Sequence, residues 1–155
     1  IAKNTDVFYI GGTKVGALFG EAVVICNNEL KKDFRYNIKQ RGGMLAKGRL
    51  LGIQFQTLFE ENRYFEISAH AARLAEKMKE ELTKMGVSFY IDSPSNQQFP
   101  ILPDEVLEKL KTKYSYTYQA RMDDTHSAVR FCTSWATKEE NVDMLLADIA
   151  AIIGK

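Results

Sequence analysis

The first 28 residues contain two short apolar runs that predict β-strands. Residues 7–10 read Val-Phe-Tyr-Ile and stop at a pair of glycines, and residues 21–26 end at a pair of asparagines. Because neither run alternates apolar with polar positions, we expect both strands to be buried on both faces of a sheet. Such strands need neighbours on each side, which the rest of the chain scarcely supplies. The pattern therefore indicates part of a larger sheet.

Apolar residues at helical spacing follow across residues 29–85. The spacing predicts a helix at 29–40, a second from about 44, and a third at 62–85, after which Gly86 is a natural C-terminal cap. The apolar stripe of the third helix is typical of a core-facing surface rather than of contacts to a cofactor. Its members are Ile67, Ala71, Leu74, Met78, Leu82 and Met85.

After Gly86 the pattern changes to short strands separated by turns. Strands are predicted at 87–91, 98–102, 114–119 and 127–133, and helices at 103–113 and from about 137. Tyrosines alternate with polar residues over 114–119, as in a strand with one buried face. This part of the chain indicates a small, largely antiparallel sheet covered by helices. The whole chain is therefore predicted to be α/β to α+β, divided at 1–28, 29–85 and 86–155.

The chain is close to neutral overall, but its charges are unevenly distributed along the sequence. The 155 residues carry 21 Lys and Arg against 20 Asp and Glu, and a net charge of +1 argues against non-specific nucleic-acid binding. Residues 31–49, however, contain a single acid, Asp33, so this basic segment carries +6 and the remainder −5. It can face a phosphate, a subunit partner or water. Its cations are Lys31, Lys32, Arg35, Lys39, Arg41, Lys47 and Arg49.

Cys26 and Cys132 both lie in apolar stretches, and we expect them to be small buried residues in a reducing compartment. No stretch approaches the roughly 20 apolar residues of a membrane span, so a cytoplasmic protein is predicted. The chain starts with Ile1 rather than Met, and we expect it to be processed or to be a piece of a longer protein.

Lys14 is the first candidate for chemistry. It follows a buried strand in the loop Gly11-Gly12-Thr13-Lys14-Val15-Gly16. Partial desolvation there would lower the pKa of its ammonium group and expose a nucleophilic amine. The alternative is a solvent-exposed lysine in a turn, which is the commoner environment of lysine. The loop lacks the spacing of a nucleotide-binding P-loop.

Arg130 is the second candidate, because it lies in the middle of a predicted strand with Ala128 and Cys132 on the same face. A guanidinium there needs an anion, and its two parallel N–H groups match a carboxylate. The alternative is a structural ion pair with one of the chain's own acids, such as Asp123 or Asp124. His70 is interpreted as structural and His126 as a weaker site candidate, and the scattered His and Cys residues predict no metal site.

Taken together, three segments resemble the low-specificity threonine aldolases, which belong to the aromatic amino acid β-eliminating lyase family. Residues 6–16 (DVFYIGGTKVG) resemble the segment that carries the lysine bound to pyridoxal 5'-phosphate. Residues 39–44 (KQRGGM) resemble the family's glycine-rich connection between helices, with 47–49 as a variant of it. Residues 129–135 (VRFCTSW) resemble the late strand whose arginine holds the substrate carboxylate.

The resemblance covers the chain in order and implies the C-terminal portion of an aspartate-aminotransferase-like fold. Residues 1–28 would end the large cofactor-binding domain, 29–85 would be connecting helices, and 86–155 the small α+β domain. Lys14 would be the catalytic, Schiff-base lysine and Arg130 the substrate-binding residue. Thr13 would donate to the cofactor phosphate, and Arg41 and Lys47 would do so across a subunit interface.

The resemblance further implies a lyase that cleaves the Cα–Cβ bond of β-hydroxy amino acids, converting threonine to glycine and acetaldehyde. The N-terminal half of such an enzyme is absent from this chain, so we expect the fragment alone to be inactive. A homo-dimer or tetramer is expected, without nucleic acid or membrane partners. The alternatives are an aminotransferase, a β-eliminating lyase, or a non-catalytic α+β association domain.

Overall fold

A computed structural model describes residues 1–154 and divides the chain into two units, the first ending at Glu66 and the second beginning at Ile67. The division falls within the longest helix, α3 (Arg63–Lys84). The predicted three-part division at 28 and 85 stays a prediction, and its last residue, Lys155, lies outside the described part of the chain.

The first unit contains a two-stranded antiparallel sheet of β1 (Val7–Gly11) and β2 (Glu21–Ile25), paired from Val7 opposite Ile25 to Gly11 opposite Glu21. The expectation that these strands are buried on both faces is wrong for this chain. Side chains alternate between half-buried and exposed along β1, and the directly opposed Tyr9 and Val23 are 71% and 53% exposed. Apolar sequence alone did not show this, because burial also requires a covering element.

Two helices follow the sheet, and both begin later than the sequence predicts. A 3₁₀ turn, Asn28–Lys31, precedes α1 (Phe34–Gln40), and α2 spans Arg49–Phe59. Phe55 and Leu58 are the buried residues of α2. The glycine-rich connection between α1 and α2 has no regular helix.

The second unit is built around one central strand, β6 (His126–Cys132), which pairs antiparallel with every other strand of its sheet. β3 (Gln97–Gln98) and β4 (Ile101–Pro103) pair with β6, as does β5 (Thr117–Arg121), which carries an irregularity between Tyr118 and Ala120. The helices of this unit besides α3 are α4 (Asp104–Leu110) and α5 (Glu139–Ile153). The predicted small antiparallel sheet with helices is therefore present.

The core of the second unit confirms the interpretation of the apolar stripes. Leu82, Leu102, Val129 and Ile149 are fully buried in one cluster formed by α3, β4, β6 and α5 together with α4. α3 ends as predicted, because Gly86 has φ +80° and the Val87 amide donates to the Leu82 carbonyl at 3.0 Å. None of the helices in residues 1–154 is long and apolar enough to span a membrane.

Two further local predictions are wrong. Residues 87–91 form no regular strand, since only Phe89 makes a bridge, with Pro100. Cys26 and Cys132 are exposed free thiols rather than small buried residues. Cys132 is the last residue of β6, and Cys26 directly follows β2, so both lie where their strands end.

Candidate active site

The loop that carries Lys14 is a tight turn seated on buried residues. Gly12 accepts two hydrogen bonds at its carbonyl oxygen, from the amides of Val15 at 3.0 Å and Ala17 at 2.9 Å, and both of these side chains are buried. Gly16 ends the turn with φ +96°, a conformation that favours glycine. The backbone of the loop is thereby held on both sides of Lys14.

Gly12 is enclosed so tightly that a side chain has no room there. A Cβ atom at this position would lie 2.7 Å from the Ala17 Cβ and 3.1 Å from the Phe55 ring of α2. Gly11, one residue earlier, has nothing within 4 Å of the same added atom. Gly11 and Gly12 therefore have different structural roles, which the sequence alone does not distinguish.

Two side chains from outside the loop hold the backbone at its start and just beyond its end. Gln54 of α2 accepts from the Leu18 amide at 2.7 Å and donates to the Phe19 carbonyl at 3.2 Å. The Tyr64 hydroxyl donates to the Gly11 carbonyl at 3.0 Å. No motif marks these residues, because each acts over more than 30 positions of sequence.

Within this clamped loop, Thr13 and Lys14 are exposed. Neither side chain has a hydrogen-bond or ion-pair partner among residues 1–154, so the amine and the hydroxyl are free. In this chain Lys14 matches the exposed-turn alternative rather than the desolvated one. Arg41 and Lys47, in the connection between α1 and α2, are likewise exposed and make no ion pair within the described residues.

Arg130, in the second unit, is half-buried in β6 and its guanidinium reaches the strand on each side. Nη1 donates to Gln97 Oε1 at 3.1 Å and Nη2 to Thr117 Oγ1 at 3.4 Å. Nε is buried and has no acceptor in the described part of the chain. No carboxylate of residues 1–154 pairs with this guanidinium.

The structural alternative for Arg130, an ion pair with Asp123 or Asp124, is wrong. Asp123 Oδ1 instead accepts from the amides of Thr125 at 2.7 Å and His126 at 2.8 Å, and it lies 3.1 Å from His126 Nδ1. The Thr125 amide foremost, and then the His126 ring, lower the pKa of Asp123 to about 2. The carbonyl oxygen of Asp124 accepts from Arg121.

A second polar network at the start of β6 involves Asp104, the first residue of α4. Asp104 accepts from the Ser127 hydroxyl at 2.8 Å and pairs with Arg121 at 2.5 Å. The hydrogen bond from Ser127, ahead of that from Arg121, lowers the pKa of Asp104. Both networks are internally satisfied and leave Arg130 out.

The two histidines have structural partners. His70 Nε2 lies 2.9 Å from the Thr137 carbonyl, in agreement with the structural role predicted for it. His126 is engaged with Asp123 and with the Thr125 hydroxyl at 3.0 Å. Within residues 1–154, no three His, Cys, Asp or Glu side chains are grouped to hold a metal ion.

Two curated relatives of the chain are low-specificity L-threonine aldolases. The protein from a Pseudomonas species is 32% identical over 151 residues, and that from Pseudomonas aeruginosa is 31% identical over 154 residues. These matches cover 96% and 97% of this chain but only 42% and 43% of the relatives. The chain thus spans less than half the length of the curated relatives it matches. No protein-family model matches it.

Two solved structures share the fold of this chain. Threonine aldolase from Leishmania major is 40% identical with a TM-score of 0.94, over 98% of this chain and 44% of that one. An 8-amino-7-oxononanoate synthase from Francisella tularensis shares the fold at 15% identity and a TM-score of 0.59, over 88% of this chain and 42% of that one. The predicted fold class, a C-terminal portion of the aspartate-aminotransferase-like fold, is confirmed. The resemblance to threonine aldolases is confirmed as well.

Proposed function

Since the chain is homologous over nearly its whole length to low-specificity L-threonine aldolases, we propose that it is the C-terminal part of a lyase of that kind. The enzyme would depend on pyridoxal 5'-phosphate and cleave the Cα–Cβ bond of β-hydroxy amino acids, releasing glycine and acetaldehyde from threonine. One observation carries the proposal: the Leishmania major threonine aldolase superimposes at a TM-score of 0.94 on 98% of the chain, at 40% identity.

The free side chains of the first unit suit the proposed cofactor, a phosphorylated aldehyde. Lys14 offers a primary amine for the aldehyde carbon, and Thr13 offers a hydroxyl for a phosphate oxygen. Arg41 and Lys47 are cations without an acidic partner among the described residues, and in our proposal they reach the phosphate across a subunit interface. When bound, the cofactor supplies an electron sink for the charge left on Cα.

The chain's own residues would then hold the cofactor and orient the substrate. Lys14 would hold the cofactor through Nζ, and its amine, when not bound to the cofactor, would hold a proton. Arg130 would bind the substrate carboxylate. The substrate could then no longer rotate freely, and the direction of its Cα–Cβ bond would be set. The absence of any acid paired with Arg130 within residues 1–154 supports this role.

The test is a spectrum and a product assay on the full-length protein. Pyridoxal phosphate bound to a lysine absorbs visible light, and Lys14→Ala should abolish that band. Threonine should yield glycine and acetaldehyde in equal amounts. No band in the full-length protein would reject the lyase and leave the association domain, whereas a keto acid product would indicate an aminotransferase or a β-eliminating lyase.

This chain on its own should show no threonine cleavage, because it spans less than half the length of its relatives. We further propose that the full-length subunits form a homo-dimer or tetramer. The molar mass of the full-length protein in solution tests this. The predicted cytoplasmic location stays a prediction.

A further inference from the structure

We propose that Gln97 and Thr117 are positioning residues that hold the Arg130 guanidinium with neutral oxygen atoms. The group thereby keeps its full positive charge for a substrate carboxylate. This inference rests on the function proposed for Arg130. It extends that function to two residues that no motif in the sequence marks.

The register of the sheet explains how two distant residues reach one guanidinium. β6 is the central strand, with Thr117 of β5 directly opposite Arg130 and Gln97 of β3 opposite Cys132. One terminal nitrogen of the guanidinium donates to the strand on each side, at 3.1 Å to Gln97 and 3.4 Å to Thr117. The side chain is thus held across the sheet rather than along its own strand.

Both acceptors are uncharged, and this decides what the site can still bind. A guanidinium has five N–H groups, of which these two contacts use two. Nε is buried without an acceptor, and Asp104 and Asp123, in the networks at the start of β6, are bound to other partners. A half-buried cation without a counter-charge is costly, and an anion such as a carboxylate completes it.

An acidic residue at position 97 would disrupt this arrangement, although the size of the side chain would stay the same. Glu has the length of Gln and would pair with the guanidinium, neutralising it and occupying its N–H groups. Gln97→Glu should therefore compete with the substrate carboxylate while leaving the sheet folded. Gln119→Glu is the matched control, because Gln119 is exposed on β5 and makes no hydrogen bond with Arg130.

The experiment measures threonine affinity in the full-length protein loaded with pyridoxal phosphate, by calorimetry and as KM. Gln97→Glu should weaken threonine binding by about ten- to hundredfold, the range expected for hydrogen bonds to a charged group. The effect on KM should exceed that on kcat. Gln119→Glu should leave both unchanged. Thr117→Val should weaken binding less, and Thr117→Ser should restore it.

An amino alcohol, in which the carboxylate of threonine is replaced by a hydroxymethyl group, separates positioning from general damage. Its affinity should be the same in the parent and in Gln97→Glu. Equal losses for threonine and the amino alcohol would overturn the inference, as would an unchanged threonine affinity in Gln97→Glu.

Arg130→Met distinguishes failure of this inference from failure of the proposed function. If Arg130→Met weakens threonine binding and Gln97→Glu does not, only the positioning role is rejected. If Arg130→Met leaves threonine binding intact, the carboxylate role of Arg130 is rejected and the positioning role with it. If the protein does not turn threonine over, calorimetry still gives the affinity of each variant.

Discussion

Gly12 shows how a single residue supports the loop of Lys14. Its carbonyl closes the turn, and its missing side chain lets the backbone lie against Ala17 and Phe55. Gly12→Ala should lower the free energy of unfolding by about 1–3 kcal/mol, the usual range for overpacking. Urea unfolding measures the loss.

Gly11→Ala is the control, since its added Cβ meets nothing within 4 Å. It should change stability by less than about 0.5 kcal/mol. If both variants lose the same stability, the cause is general to glycine in this loop and the contact with Phe55 is irrelevant.

Asp123 gives a residue-scale prediction for pH. Because its pKa in the folded protein is about 2, below its ordinary value, its contacts stabilise the fold above the unfolded pKa of about 4. That contribution is lost as the pH falls from about 4 to about 2. The stability difference between the parent and Asp123→Asn should therefore shrink over this range, as measured by urea unfolding at each pH.

Asp124→Asn is the matched control for Asp123, with the same change of charge one residue away. Its carboxylate makes no hydrogen bond or ion pair within the described residues, so its variant should follow the parent between pH 4 and 2. A similar pH dependence in both variants would point to net charge and not to the Asp123 contacts.

At the scale of elements, substitutions in α5 test the core of the second unit directly. Ile149 is fully buried while Met144 of the same helix is 46% exposed. Ile149→Ala should cost about 2–5 kcal/mol of unfolding free energy, and Met144→Ala about 1 kcal/mol or less. Thermal or urea unfolding compares the two. Equal costs would show that the helix does not pack in this register.

The elements also show where sequence pattern succeeds and fails. The stripe of α3 predicted its buried face, because helical spacing alone decides which residues share a side. Residues 87–91 were predicted as a strand, yet only Phe89 forms a bridge. A strand depends on a partner and a register that lie elsewhere in the chain, which local sequence does not specify.

At the scale of the whole molecule, the two sheets should differ in stability. The β1–β2 pair has no buried residue, whereas β6 is paired on both sides and buries Val129 and Phe131. In this chain without further segments, amide hydrogens of β1 and β2 should exchange faster than those of β6. Hydrogen exchange followed by mass spectrometry measures this, and equal protection of the two sheets would contradict it.

By itself the sequence determined the family resemblance, the apolar stripes of the helices, and Lys14 and Arg130 as the residues to follow. These are properties of local pattern and of residue type. Only the tertiary structure decided that β1 and β2 each leave one face open, and that Gln97 and Thr117 hold Arg130. Such contacts join positions 13 and 33 residues apart, or depend on a covering element. They follow from strand register and packing, which no local pattern encodes.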